Sequence, residues 1–214
     1  MALILMPMSF VACSDDDDDD VDDSVSIADD GYEVSGTING HYYVDLGLSV
    51  KWADRNIGAS SSSAYGDYFA WGETETKDSY TTSNSVTYGV DMDDFSGNVE
   101  YDAATANWGS SWRMPTYVEM EELVEDCTWT WTTQNDVNGY LVTGSTGNSI
   151  FLPAAGHRVG KSLKNAGSSG YYWSSTPYGS SADSAYELYL GSSSHHVSDG
   201  YRYCGYTVRP VSDY

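Results

Sequence analysis

Beyond Gly31 the hydrophobic and polar positions alternate in short runs. TWTWTT (128–133), GYLVTG (139–144), NSIFLPAAG (148–156), YYWSST (171–176), AYELYLG (185–191) and YTVRPV (206–211) each read as a strand. Gly, Asn and Ser between them supply turn residues. GHYYVDLGLSVKWADRNIG (40–58) reads as a strand and hairpin broken by Gly. AYGDYFAWGETE (64–75) reads as loop and short strand on the core, and the polar stretch 77–99 as a long surface loop.

Helical spacing is rare. In TYVEMEELVEDC (116–127), Thr116 and Glu119 form a capping box after Pro115. Met120, Leu123, Val124 and Cys127 then recur at helical spacing as one apolar face, with Glu121, Glu122 and Glu125 turned to water. YDAATANWG (101–109) predicts a shorter helix ending near Gly109. The sum is an α+β chain with two short helices and many short, irregular antiparallel strands.

Composition sharpens this picture. The 214 residues are 40% hydrophobic and 14% aromatic, with 19 Tyr and 7 Trp, so the core is aromatic more than aliphatic. The net charge is −23. Ten of the 32 acids lie between Asp15 and Asp30, which leaves 22 against nine Lys and Arg, still acidic by 13. A surface of that sign repels nucleic acid, and no nucleic-acid partner is expected.

The N-terminus reads as an address. An apolar run, too short to span a bilayer, suits a secretory signal. It closes on FVAC (10–13), which resembles a bacterial lipobox, although Phe10 replaces the usual Leu and no basic residue precedes the run. Residues 1–13 are therefore a lipoprotein signal ending in a lipidated Cys13, with outer-membrane lipid as its partner. Residues 14–30 are an acidic, disordered tether, and residues 31–214 the globular domain. An acidic run after a lipidated cysteine resembles the export signal that carries Bacteroidetes lipoproteins to the outer face of the outer membrane. Cys127 and Cys204 leave two readings, a disulfide or two separate thiols.

The blocks HYYVDLGLSVKWADRNIGA, YGDYFAWGETE, ATANWGSSWRMPTYVEMEEL, CTWTWTTQNDVNGYLVTG, NSIFLPAAG, GYYWSST and GYTVRPV, spread over about 40–211, resemble the Fibrobacter succinogenes major paralogous domain. The resemblance implies a C-type-lectin-like fold related to the formylglycine-generating enzymes, with a ligand face near the C-terminus. It implies neither oxidase activity nor a cofactor, because the active-site cysteine pair is missing. Calcium-dependent sugar binding is not implied either: neither Glu-Pro-Asn nor Gln-Pro-Asp occurs. No metal site follows from adjacent His195 and His196, which on a strand point to opposite faces.

GSSSHHVSDGYRYCGY (191–206) is rich in Tyr, Ser, His and Asp. Tyr gives broad, rigid contact and Ser adapts, as in antibody paratopes. The stretch also resembles the variable region of diversity-generating retroelement targets. Mutagenesis of Asn codons at adenine cannot produce Lys, Glu, Gln, Met or Trp, and none occurs in 191–211. The expected exposed contacts are Tyr178, Asp183, Tyr186, Tyr189, His195, His196, Asp199, Tyr201, Tyr203 and Tyr206. Alternation sets Tyr186 opposite Glu187 and Tyr189, so one of these tyrosines is a candidate for burial. Trp173, Leu188, Leu190, Val197 and Val208 are expected scaffold, with Arg202 and Arg209 pinning loops. Cys204 is expected to be exposed. The function expected is non-catalytic binding of a protein or glycan at the cell surface. The competing reading is a structural envelope protein without a specific ligand.

Overall fold

The computed structural model describes residues 26–28, 31, 33–179 and 181–214. The signal segment 1–13, the proposed lipidation at Cys13 and most of the 14–30 tether lie outside them. The strands begin with β1 (Ser26–Ile27), β2 (Glu33–Val34), β3 (Gly36–Ile38), β4 (His41–Val44) and β5 (Lys51–Ala53). A long excursion with a 3-10 turn at Thr82–Asn84 leads to helices α1 (Ala103–Trp108) and α2 (Tyr117–Asp126). There follow β6 (Thr128–Gln134), β7 (Val137–Thr143), β8 (Ser149–Pro153), β9 (His157–Val159), β10 (Ser162–Lys164), β11 (Ser169–Pro177), β12 (Ser184–Gly191), β13 (Ser194–Tyr201) and β14 (Val211–Ser212).

The expected α+β, C-type-lectin-like class is overturned. Among the described residues, two helices of 6 and 10 residues stand against fourteen strands in five small sheets. The physical reason is spacing: only two stretches repeat at helical period, and Gly, Asn and Ser turns cut the rest into antiparallel runs. The ordered part also begins earlier than expected. Ser26–Ile27 pair with Glu33–Val34, and Ala28 is buried, so pairing reaches into the stretch read as tether.

β6, β7 and β8 form one meander, β11, β12 and β13 another, and β9 with β10 a hairpin. Asn135 and Asp136 turn β6 into β7, both at positive φ (49° and 61°), as a two-residue turn between twisted strands demands. β14 pairs with β5, so the C-terminal strand closes the sheet begun by β3 and β4.

Two hydrophobic clusters lie on either side of the β11–β13 sheet. One joins Trp52, Met120, Leu123, Val142, Ile150 and Leu152 to Tyr172, Leu188 and Leu190. The other joins Trp71, Trp112, Phe95, Met114 and Val208 to Trp173, Ala185 and Tyr206. Two of the buried indoles keep their N–H groups bonded: Trp71 donates to the Ser174 carbonyl and Trp173 to the Phe69 carbonyl, both at 2.9 Å. Among the expected scaffold residues, Trp173, Leu188, Leu190 and Val208 are fully buried and Val197 is half-buried.

Candidate functional site

The second face of the β11–β13 sheet carries an open groove of about 790 Å³. Its position follows from register. Trp173, Glu187 and Ser198 lie abreast on β11, β12 and β13, so their side chains share one face, with Tyr171 and Tyr189 two positions along. The chain returns after β13 and threads Gly205–Thr207 between three neighbours. Tyr206 exchanges backbone hydrogen bonds with Phe69 (2.9 and 3.0 Å), and Gly205 with Arg158 (2.8 and 2.9 Å). Thr207 donates to Tyr171 (3.2 Å) and accepts from Trp173 (3.0 Å). Tyr206 is thereby fixed with its ring stacked on Trp173 at 4.1 Å between centroids.

Tyr171, Tyr201, Tyr203 and Tyr206 line the groove with His157, and Asp183 and Asp199 stand at its edge. Glu187 lies at its floor, only 5% exposed, and its Oε2 has no hydrogen-bond partner. Burial pushes the Glu187 carboxyl up to about 8; a hydrogen bond with Tyr206 lowers it and the nearby Asp199 charge raises it further. Burial likewise raises the Tyr206 phenol, with the Glu187 charge adding to the effect. His157 is lowered by burial and by Lys164, and its buried Nδ1 has no partner.

The expected contact residues divide among three places. Asp183, Asp199, Tyr201, Tyr203 and Tyr206 come together at the groove. Tyr189 and His196 continue the same face, with ring centroids 5.1 Å apart and Tyr189 5.3 Å from Tyr171. Tyr178, Tyr186 and His195 are elsewhere. Tyr186 packs on Tyr117 of α2 (4.2 Å) and on Tyr178 (5.2 Å), while His195 stacks on Trp129 (4.4 Å). Tyr186 and His195 point away from the groove because alternation sends β12 and β13 side chains to both faces of the sheet, and Tyr178 lies just beyond the end of β11.

Two further corrections concern burial. Tyr206, expected to be exposed, is 5% exposed, because its ring closes the Trp173 side of the core. Cys204, also expected at the surface, is buried; desolvation pushes its thiol up to about 11. Cys127 and Cys204 are free thiols, not a disulfide. Arg202 and Arg209 pin loops as expected. Arg202 donates to the carbonyls of Ser184 (2.9 Å), Thr87 (3.2 Å) and Val90 (2.7 Å), with its guanidinium over Trp71. Arg209 donates to Asn56 (2.8 Å) and to the carbonyls of Ala53, Asp54 and Phe151.

A family model described as a domain of unknown function (DUF8237) matches residues 14–211, nearly the whole chain. The chain belongs to the DUF8237 family. Neither the curated proteins nor the solved structures contain a match to it. In this DUF8237 member the sequence reading missed Glu187, His157 and Tyr171 as groove residues. The one signal for Glu187 was its place as a lone acid among the aromatic and aliphatic residues of AYELYLG.

Proposed function

We propose that this DUF8237 protein is a non-catalytic, lipid-anchored surface protein that binds a protein or glycan ligand in the groove of the β11–β13 sheet. The observation that carries the reading is the groove itself, open, tyrosine-walled, and floored by an unpartnered carboxyl. Open concavity with a few convergent polar groups is the ordinary form of a binding site, and tyrosine walls give contact area with few torsions to freeze. The raised thiol of Cys204 supports the non-catalytic part, since a thiol held protonated is a poor nucleophile. The lipobox-like FVAC and the acidic run after it support anchoring through Cys13 at the outer face of the outer membrane. The sequence blocks shared with the Fibrobacter succinogenes major paralogous domain support the same setting. The rim, rich in residues that adenine mutagenesis can reach, is proposed to be the diversified part of the surface.

The test is binding of glycans and surface proteins by intact cells that carry the full chain. Tyr201→Ala with Tyr203→Ala should lower binding at least tenfold. Tyr201 is exposed and Tyr203 half-buried, so stability should change little. Cys13→Ser should remove binding from the cells without changing the purified chain's affinity. If no ligand depends on the two tyrosines, the structural envelope reading replaces this one. Release of products from a bound glycan would replace it with a catalytic one.

A further inference from the structure

We propose that the groove takes a primary alkylammonium group, such as a lysine side chain, which places its charge on Glu187 and its methylenes against Tyr171 and Tyr206. This rests on the groove being a ligand site, and it names the chemistry of that ligand. Three observations carry it.

The first is the sign of the charge. The groove's acidic lining is Asp183, Glu187 and Asp199, with Asp183 and Asp199 carrying its charge, and neither Lys nor Arg is among its lining residues. A phosphate, sulfate or acidic sugar would meet repulsion on entry, whereas a cation is drawn in.

The second is the unpartnered Oε2. A buried carboxyl oxygen without a donor is costly, and an ammonium with three N–H groups meets that need. The Tyr206 hydroxyl stands beside the same carboxyl and favours its charged form. One free oxygen suits a compact ammonium better than a guanidinium, whose fork prefers both oxygens. Gly200 packs against this carboxyl: a β-carbon there would lie 2.7 Å from both Glu187 Oε2 and the Tyr206 hydroxyl, so no larger residue fits.

The third is the aromatic surface beside the carboxyl. Tyr206 stacks on Trp173 at 4.1 Å and lies 5.1 Å from Tyr171, and His157 meets Tyr171 at 4.7 Å. Ring faces attract cations and cover an alkyl stem.

Binding of this kind carries a proton signature. A protonated Glu187 meeting an ammonium ionises; its O–H bond breaks, the proton goes to solvent and the carboxylate pairs with the intact cation. The titratable groups around Glu187 are Tyr171, Asp199, Cys204 and Tyr206, with His157 and Asp183 along the groove. Of these, His157 is held below its ordinary value by burial and by the Lys164 charge.

The experiment is calorimetric titration of the full chain at pH 7 with Nα-acetyl-lysine methylamide, in two buffers of different ionisation enthalpy. The matched norleucine derivative and a neutral hexose serve as comparisons. The lysine derivative should bind and release close to one proton, and the norleucine derivative should bind at least tenfold more weakly. Glu187→Gln should weaken lysine binding at least tenfold and abolish proton release. Asp199→Asn, on the exposed rim, keeps the fold independent of the buried site and should weaken binding a few-fold with proton release retained. Equal binding of the two amino-acid derivatives, or lysine binding without proton release, overturns the proposal. Hexose binding without lysine binding overturns the ammonium and leaves the groove reading standing. If no probe binds and the Tyr201→Ala, Tyr203→Ala variant still binds its cellular ligand fully, both readings fall together.

Discussion

Glu187 is almost wholly buried at the floor of the groove, and that position has a measurable consequence for stability. Its folded pKa is raised to about 8 from an ordinary 4.5, mainly by burial. Between those values the folded state holds a proton that the unfolded state has released. Stability is therefore undiminished by this group below about pH 4.5, falls as pH rises from there to about 8, and stays low above that. At about 1.4 kcal/mol per pH unit the effect amounts to a few kcal/mol. Thermal melts from pH 5 to 9 should show the wild-type midpoint falling relative to Glu187→Gln, whose amide has no proton to lose. Parallel curves for the two proteins would mean that Glu187 is solvated. Alternation correctly put Glu187 and Tyr189 on one face and Tyr186 on the other. It did not reveal which face was wet, because β12 is covered on both sides: Leu188 and Leu190 by one cluster, Ala185 by the other. On a strand buried twice, the two-residue period no longer separates inside from outside. Tyr206 was misplaced for a related reason, since its burial comes from distant partners at Tyr171 and Trp173.

The elements with local signals were the legible ones. The Thr116–Glu119 capping box closes on α2 as the sequence indicates, and Gly109 ends α1 at φ 90°. Asp102 is the exception. It begins α1 as an N-cap, with Oδ1 accepting from the N–H groups of Ala104 (2.8 Å) and Thr105 (3.0 Å). Its Oδ2 also accepts from Gly97 (2.7 Å) and Met114 (2.9 Å), in residues before and after the helix. The carboxyl is fully buried, and desolvation raises its pKa against these four donors. An ordinary cap contributes about 1 kcal/mol. Asp102→Ala leaves the three buried N–H groups of Ala104, Thr105 and Met114 unpaired, at about 1–3 kcal/mol each, and the part-buried one of Gly97 besides. Urea unfolding should show a loss of about 4 kcal/mol or more; a loss near 1 kcal/mol would reduce Asp102 to a simple cap. The stretch 77–99, read as a surface loop, is irregular as expected but buries Tyr80, Thr87 and Phe95. Its polar composition hid those anchors, which meet partners far along the chain.

At the scale of the molecule, the groove joins a floor built by the β11–β13 sheet to a rim supplied by the turns at 181–184 and 201–206. Glu187 on the floor and Trp173 buried beneath it are residues that adenine mutagenesis of Asn codons cannot generate, whereas Asp183, Asp199, Tyr201 and Tyr203 are among its products. Sequencing this gene from many cells of one strain should find variation confined to 171–211 and concentrated at the rim, with Trp173, Glu187, Arg202 and Arg209 unchanged. Uniform identity, or changes scattered through the floor, would remove diversification from the proposed function. The sequence by itself determined the short antiparallel strands, both helices with the capping box of α2 and the Gly109 end of α1, and the anchoring roles of Arg202 and Arg209. Each depends on neighbours in the chain or on a side chain whose buried charge demands many acceptors. Only the tertiary structure decided that the described residues form a β-rich fold of five small sheets, that their tyrosines fall on two faces, and that Glu187 closes the floor of a groove. Those outcomes depend on which distant segments meet, and packing between sheets leaves no periodic trace in the order of residues.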